Sequence, residues 1–124
     1  MSRRLPPLFL GLLLALTATV GAAQETRYFE ALPDLPVMPG LTESEAAGIA
    51  FDKPGGRIVT LYATGEAAPE AILGFYQETL PALGWRAVER QAWLREGERL
   101  TLEANRDARV RGGETVARFT LAPE

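Results

Sequence analysis

Over the last third of the chain, apolar and polar side chains alternate one for one. Leu100, Leu102 and Ala104 alternate with Thr101, Glu103 and Asn105. Ala117, Phe119 and Leu121 alternate with Val116, Arg118 and Thr120. Successive side chains of a strand point to opposite faces, so this period of two predicts strands with one buried and one wet face. WRAVERQAWLREGERLTLEA extends the strand reading upstream, with a tight turn at REGE, and the polar, glycine-rich NRDARVRGG reads as a loop. GRIVTLYA is β-branched, aromatic and aliphatic, which predicts another strand, paired with GIAFD through KPGG. Pro54 suits the first central position of a type II turn, and Gly55 the position that needs a positive φ. A phosphate loop would run from a strand into a helix, whose N-terminus faces the anion. These glycines run into a strand, so KPGG is read as a hairpin turn with Lys53 and Arg57 beside it in solvent.

Between the strands the period changes. Ile72, Phe75, Tyr76, Thr79, Leu80 and Leu83 form one stripe at helical spacing, with Glu70, Gln77 and Glu78 on the other side. Pro69 suits the first turn, Glu66 and Glu70 the positive end of the dipole, and Gly84 the stop. Pro81 removes a hydrogen bond near the end, which predicts a kink or a slack last turn. The order is ββαβββ(β). One helix cannot make a second sheet layer, so the fold class expected is α+β, a two-layer sandwich of one helix on a single antiparallel sheet.

The N-terminus reads differently. MSRR is basic, LPPLFLGLLLALTATV is apolar, and GAAQE offers small residues, which is the layout of a secretory signal peptide. Residues 1–23 are expected to be removed after Ala23 or Ala22. The apolar run is shorter than the ~20 residues of a spanning helix, so a retained anchor is the alternative and no stable anchor is expected after cleavage. Residues 24–47 form an extended segment in which Pro33, Pro36 and Pro39 recur every third residue. Leu35, Val37, Met38 and Leu41 make it too apolar for a solvated linker. It is expected to lie across the polar face of the sheet or along its edge, without a helix and with at most one loose turn at LTESEAA. Residues 48–124 are the α+β domain.

Composition narrows the chemistry. Removing residues 1–23 takes away Arg3 and Arg4 and no acid, which moves the formal charge from −3 to −5. An acidic domain is not built for nucleic acid or anionic lipid. There is no histidine or cysteine, and Ser44 is the one serine left after cleavage. Ser-His-Asp triads, Cys-His pairs and histidine or thiolate metal sites are therefore excluded, and no cofactor is expected. Among the carboxylates, Glu96 and Glu98 flank Gly97 at a hairpin tip, and Asp34 and Asp52 stand alone. Arg86, Arg90, Arg95 and Arg99 interleave with Glu89, Glu96, Glu98 and Glu103 over neighbouring strands, the pattern of cross-strand charge pairing on a wet face. Trp85 is expected in the core. Trp93 alternates with Ala92 and Leu94, so one set faces outward. An outward Trp93, with Arg86 and Arg95, is the candidate interface.

FYQETLPALGW, with a hairpin strand before it and REGERLTLEA after it, resembles a pattern found in small exported bacterial α+β proteins of unknown function. The resemblance rests on Phe75-Tyr76, Leu80-Pro81 and Gly84-Trp85 and spans about residues 34 to 122. It implies a folded α+β domain and carries over no catalytic residue. The function expected is that of a periplasmic or secreted, non-enzymatic binding or envelope-assembly module with an unknown protein partner in the cell envelope. The alternative is a small-ligand carrier or a carboxylate-dependent hydrolase, which would need a pocket between helix and sheet.

Overall fold

The run with the cleanest alternation, Ala117 to Leu121, lies in the middle of the sheet. The computed structural model describes residues 3–4, 25–44, 49–109 and 111–124; the expected cleavage point at Ala22 or Ala23 lies outside the described residues. The elements are β1 (Arg27–Tyr28), β2 (Pro36–Val37), β3 (Leu41–Glu43), β4 (Ile49–Lys53), β5 (Gly56–Gly65), α1 (Pro69–Thr79), β6 (Arg86–Glu89), β7 (Ala92–Arg95), β8 (Glu98–Arg106) and β9 (Thr115–Pro123). β1 and β2 form a small ribbon. The others form one seven-stranded sheet in the order β3-β5-β9-β8-β7-β6, with β4 also on β5. Every pairing is antiparallel. β5 is long enough for two short strands on one edge. β4 takes its first half, with Ile49 opposite Thr60, and β3 its last, with Leu41 opposite Gly65. The α+β fold with one helix on an antiparallel sheet is as the alternation required.

Local chemistry explains the turns. β7 and β8 are joined through Glu96 (φ 49°) and Gly97 (φ 76°), the two positive φ values of a type I′ hairpin. In the KPGG hairpin the positive φ falls on Gly56 (133°), one residue later than the sequence placed it. Gly56 starts the strand beside Pro123, whose Cγ would stand 2.8 Å from an added Cβ, so the glycine serves a close approach as well as a turn. Pro69 opens α1, and the α-helix ends at Thr79. Leu80–Leu83 continue as a 3-10 turn around Pro81, and Gly84 (φ 89°) closes it in the left-handed region. This is the slack last turn that Pro81 predicts.

The helix alone does not cover the sheet. Residues 29–41 cross the same face as a strap, and Phe29, Leu32, Leu35, Val37 and Leu41 are buried with Ile72, Leu73, Tyr76 and Leu80 of the helical segment. Val59, Leu61, Phe119, Leu121, Leu100, Leu102 and Trp93 rise from the sheet to meet them. The rings of Phe29 and Phe119 meet edge to face at 5.2 Å, those of Phe119 and Tyr76 at 4.8 Å, and those of Tyr76 and Phe75 at 4.9 Å. Strap, sheet and helix are thus joined through one aromatic chain. The strap was expected on the polar face or at the edge. It lies on the helix side because its five apolar side chains need an apolar partner surface, which only that face offers. LTESEAA was expected as at most a loose turn, yet Leu41–Glu43 is a strand of the main sheet. Within the helix stripe, Leu73 is buried and was missed, Phe75 is half-buried and Leu83 is exposed, because the 3-10 turn rotates Leu83 off the face.

The strap's backbone is held by Tyr76. Its hydroxyl donates to the Pro36 carbonyl at 2.7 Å and accepts from the Met38 N–H at 3.0 Å. Burial pushes the phenol pKa well above its ordinary value, partly offset by the Met38 N–H. Tyr76→Phe keeps the ring and leaves both backbone groups unpaired, an expected loss of about 1–3 kcal/mol in denaturant melts. A raised folded-state pKa means that the folded chain keeps this proton after the unfolded chain has lost it. The contribution is whole below about pH 10, the ordinary tyrosine value, and falls as pH rises above it. Stability should therefore decline more steeply on the alkaline side in the parent than in Tyr76→Phe. Equal alkaline slopes would show that the hydroxyl is not held as described.

Candidate functional site

With helix and strap on one face, the polar alternates make up the other. Register sets them in rows. Tyr62, Arg118 and Glu103 lie side by side across β5, β9 and β8. On one side of that row run Thr60, Thr120, Thr101 and Ala92, and on the other Thr64, Val116 and Asn105. Apart from Ala92, these side chains are half-buried or exposed. Among the described residues, two ion pairs lie on this face. Arg118 binds Glu103, and Arg99 Nη2 stands 2.9 Å from Glu89. On the helix and strap side, Arg57 Nε stands 3.2 Å from Glu98, which lies opposite Arg95. The Glu98 hydrogen bond raises the Arg57 pKa, partly offset by desolvation. Each arginine is partly exposed, so these pairs set side-chain positions more than they stabilise the fold.

At the β8–β9 end of the face lies a depression of about 350 Å³, bounded by Tyr62, Glu103, Asn105, Arg106, Val116 and Arg118 and by the loop residues Asp107 and Arg109. The loop is held by its own bonds. Asp107 Oδ1 accepts from the Arg109 backbone N–H at 2.9 Å and from its Nε at 3.3 Å, while the Asp107 N–H donates to the Glu114 carbonyl at 3.1 Å. The two bonds from Arg109 hold the Asp107 carboxyl below its ordinary pKa. Guanidinium and carboxylate thus stand together at two points of the rim, beside an aromatic ring.

The candidate interface residues separate. Trp93 is 1% exposed and lies on the inner face opposite Leu100, so it is core and not an outward anchor. Its neighbour Ala92 is also buried, so the polar–apolar contrast that reveals facing is absent at this pair. Arg95 shares the inner side. Its guanidinium stacks on Trp85 at 4.3 Å, donates to the Leu83 carbonyl at 3.1 Å and binds Asp34 of the strap. It is a clamp between strap, helix end and β7, with little left to offer a partner. Arg86 is exposed on the outer side, opposite Leu94. Arg86 and Arg95 share a surface depression of about 760 Å³ near the hairpin tip, so two of the three candidates meet and Trp93 is elsewhere.

Glu96 and Glu98 do not form a catalytic pair: Glu98 is engaged by Arg57, and Glu96 is exposed at the turn. Among the described residues there is no group of three or more carboxylates placed to hold a metal ion. Two further depressions, of about 620 and 950 Å³, flank β1, where Tyr28 is 52% exposed. Tyr62 and Arg118 are the residues the sequence did not single out. The signal was present in the alternation of GRIVTLYAT, where Tyr62 falls in the outward set with Ile58, Thr60 and Thr64.

The two arginine environments predict different costs. Arg95→Ala removes a stack, a hydrogen bond and an ion pair at a side chain only 20% exposed, and should cost about 1–3 kcal/mol. Arg118→Ala should cost no more than about 1 kcal/mol, since its pair is exposed. Thermal melts of both variants check the ranking; an Arg118→Ala loss as large as that of Arg95→Ala would make the outer row structural. Comparison of the chain with family models, curated proteins and solved structures finds no match.

Proposed function

We propose that this chain is an exported, non-enzymatic binding module that works through the open face of its sheet. The observation that carries the reading is the division of labour between the two faces. Helix, strap, Trp93 and Arg95 are all spent on one side. The other side presents Tyr62, threonines and paired charges in fixed rows, half-buried or exposed. A sheet face held in register by long strands is a rigid platform, and rigid elements bind at lower entropic cost than loops. Export is supported by the basic, apolar and small-residue order of residues 1–23. No helix among the described residues is long and apolar enough to cross a membrane. A binding role is favoured over a carboxylate hydrolase by the engagement of Glu98 with Arg57. It is favoured over a carrier by the aromatic packing between helix and sheet, where such a pocket would have to open.

Two measurements test the reading. Mass spectrometry of the chain from envelope fractions should find an N-terminus at Gln24 or Ala23, and an N-terminus at Met1 or Ser2 would overturn export with cleavage. A photo-reactive residue at Thr120, in the middle of the open face, should give adducts in the envelope, whereas one at Glu78 on the exposed side of α1 should not. Adducts from Glu78 alone would move the binding surface to the helix.

A further inference from the structure

We propose that the depression around Tyr62 is a subsite for a neutral oligosaccharide. The proposal rests on the open-face reading and names the class of ligand. A sugar hydroxyl donates and accepts at once, so it is best met by a donor and an acceptor side by side. The depression offers that combination twice, in Arg118 with Glu103 and in Arg109 with Asp107. Asn105 adds a carboxamide that does both. The ring of Tyr62 lies in the same row as Arg118 and Glu103, half-buried on the sheet, and supplies an aromatic surface for the C–H face of a pyranose. The threonines of the neighbouring rows continue the hydroxyl-bearing surface along the sheet. The volume is at the low end of the range for small-molecule sites, which suits one end of a longer chain lying across an open face.

Other ligand classes fit less well. A phosphate or carboxylate would have to approach Glu103 and Asp107, which neutralise Arg118 and Arg109 beside them. Arg106, whose guanidinium donates to the Gly113 carbonyl at 3.5 Å, also lines the depression, so phosphate is the competing ligand in the test. A protein interface is usually organised around an apolar centre. Here the outward apolar side chains lie away from the depression: Phe51 stands opposite Ile58, and Ala122 and Leu94 flank Arg99, two rows from Tyr62. The row at the depression is Tyr62, Arg118 and Glu103, with Val116 the one apolar side chain among the described residues that lines it.

The test is a set of amide NMR titrations of the purified chain with maltotriose, cellotriose and chitotriose at millimolar concentration, and separately with inorganic phosphate. At least one trisaccharide should shift the amides of Tyr62, Glu103, Asn105 and Arg118, and phosphate should not. Tyr62→Ala should weaken the binding about tenfold, Tyr62→Phe should retain most of it, and Glu103→Gln, which leaves the ring in place, should also weaken it. The assignment is overturned if none of the three sugars moves these amides, if phosphate moves them equally, or if the shifts lie elsewhere. Adducts from Thr120 to a protein, with these amides unmoved by the sugars, would leave the open-face reading standing and remove the sugar assignment. Silence in both experiments would remove both.

Discussion

The Tyr76 hydroxyl is the contact on which the covered face depends. A helix of eleven residues cannot shield a sheet six strands wide, so part of that sheet would be left in water. The strap closes the gap, but it is extended chain with few partners for its own backbone. Every N–H and C=O it buries must be met by something. The ribbon with β1 meets some of them, and local bonds such as Leu35 N–H to the Leu32 carbonyl, at 2.9 Å, meet others. At Pro36 and Met38 one phenol oxygen does both jobs, as donor and as acceptor. The same residue supplies the ring that packs on Phe119, so an apolar contact and a polar one fix the same point of the strap.

The strap also explains why Arg95 is not free. The strap is pinned at Pro36 by Tyr76, and near Asp34 by Arg95, which reaches the helix end at Leu83 as well. At the other end of the helix, the buried Thr115 donates its hydroxyl proton to the Ala67 carbonyl at 2.6 Å, tying the loop before α1 to the start of β9. These links join elements far apart in sequence, and all lie on the helix side. The seven strands hold the remainder in register without help from the outer side chains. The outer rows are therefore relieved of structural work, and substitutions there report on binding more cleanly than substitutions in the core.

Much of this was legible in the sequence, for reasons tied to particular residues. Where apolar and polar positions alternate, as in β8 and β9, facing follows directly. Where they do not, it fails: Ala92, Trp93 and Leu94 are all apolar, so nothing local says which set is inside, and register with Leu100 decides it. The strap was legible as extended and apolar, but its location depends on surface supplied by residues from Val59 to Leu121, distant in sequence. Tyr76 was legible as part of the helix stripe, while the role of its hydroxyl was not, because its partners are backbone atoms of another segment. Arg95 was misplaced for a similar reason: its parity with Trp93 sends it inward, and only the tertiary fold sets Trp85 and Asp34 around it.

Charge separates the two sides in one further respect. Helix and strap carry Glu30, Glu66, Glu70 and Glu78, all exposed, which keeps that side solvated and repels acidic neighbours. On the open face Arg118 is matched by Glu103 and Arg99 by Glu89, and Arg86 at the β6 edge adds one positive charge, so only a small net field extends from it. Long-range steering would then contribute little to association with a ligand, and recognition would rest on short-range hydrogen bonds and ring stacking. Such binding is weak per site and changes little with salt. An extended ligand that repeats the same hydroxyl pattern could engage successive rows of the sheet, since adjacent strands present equivalent groups at a regular spacing. The repeated rows of this face and its near balance of charge thus fit a repetitive neutral polymer better than a compact, strongly charged partner.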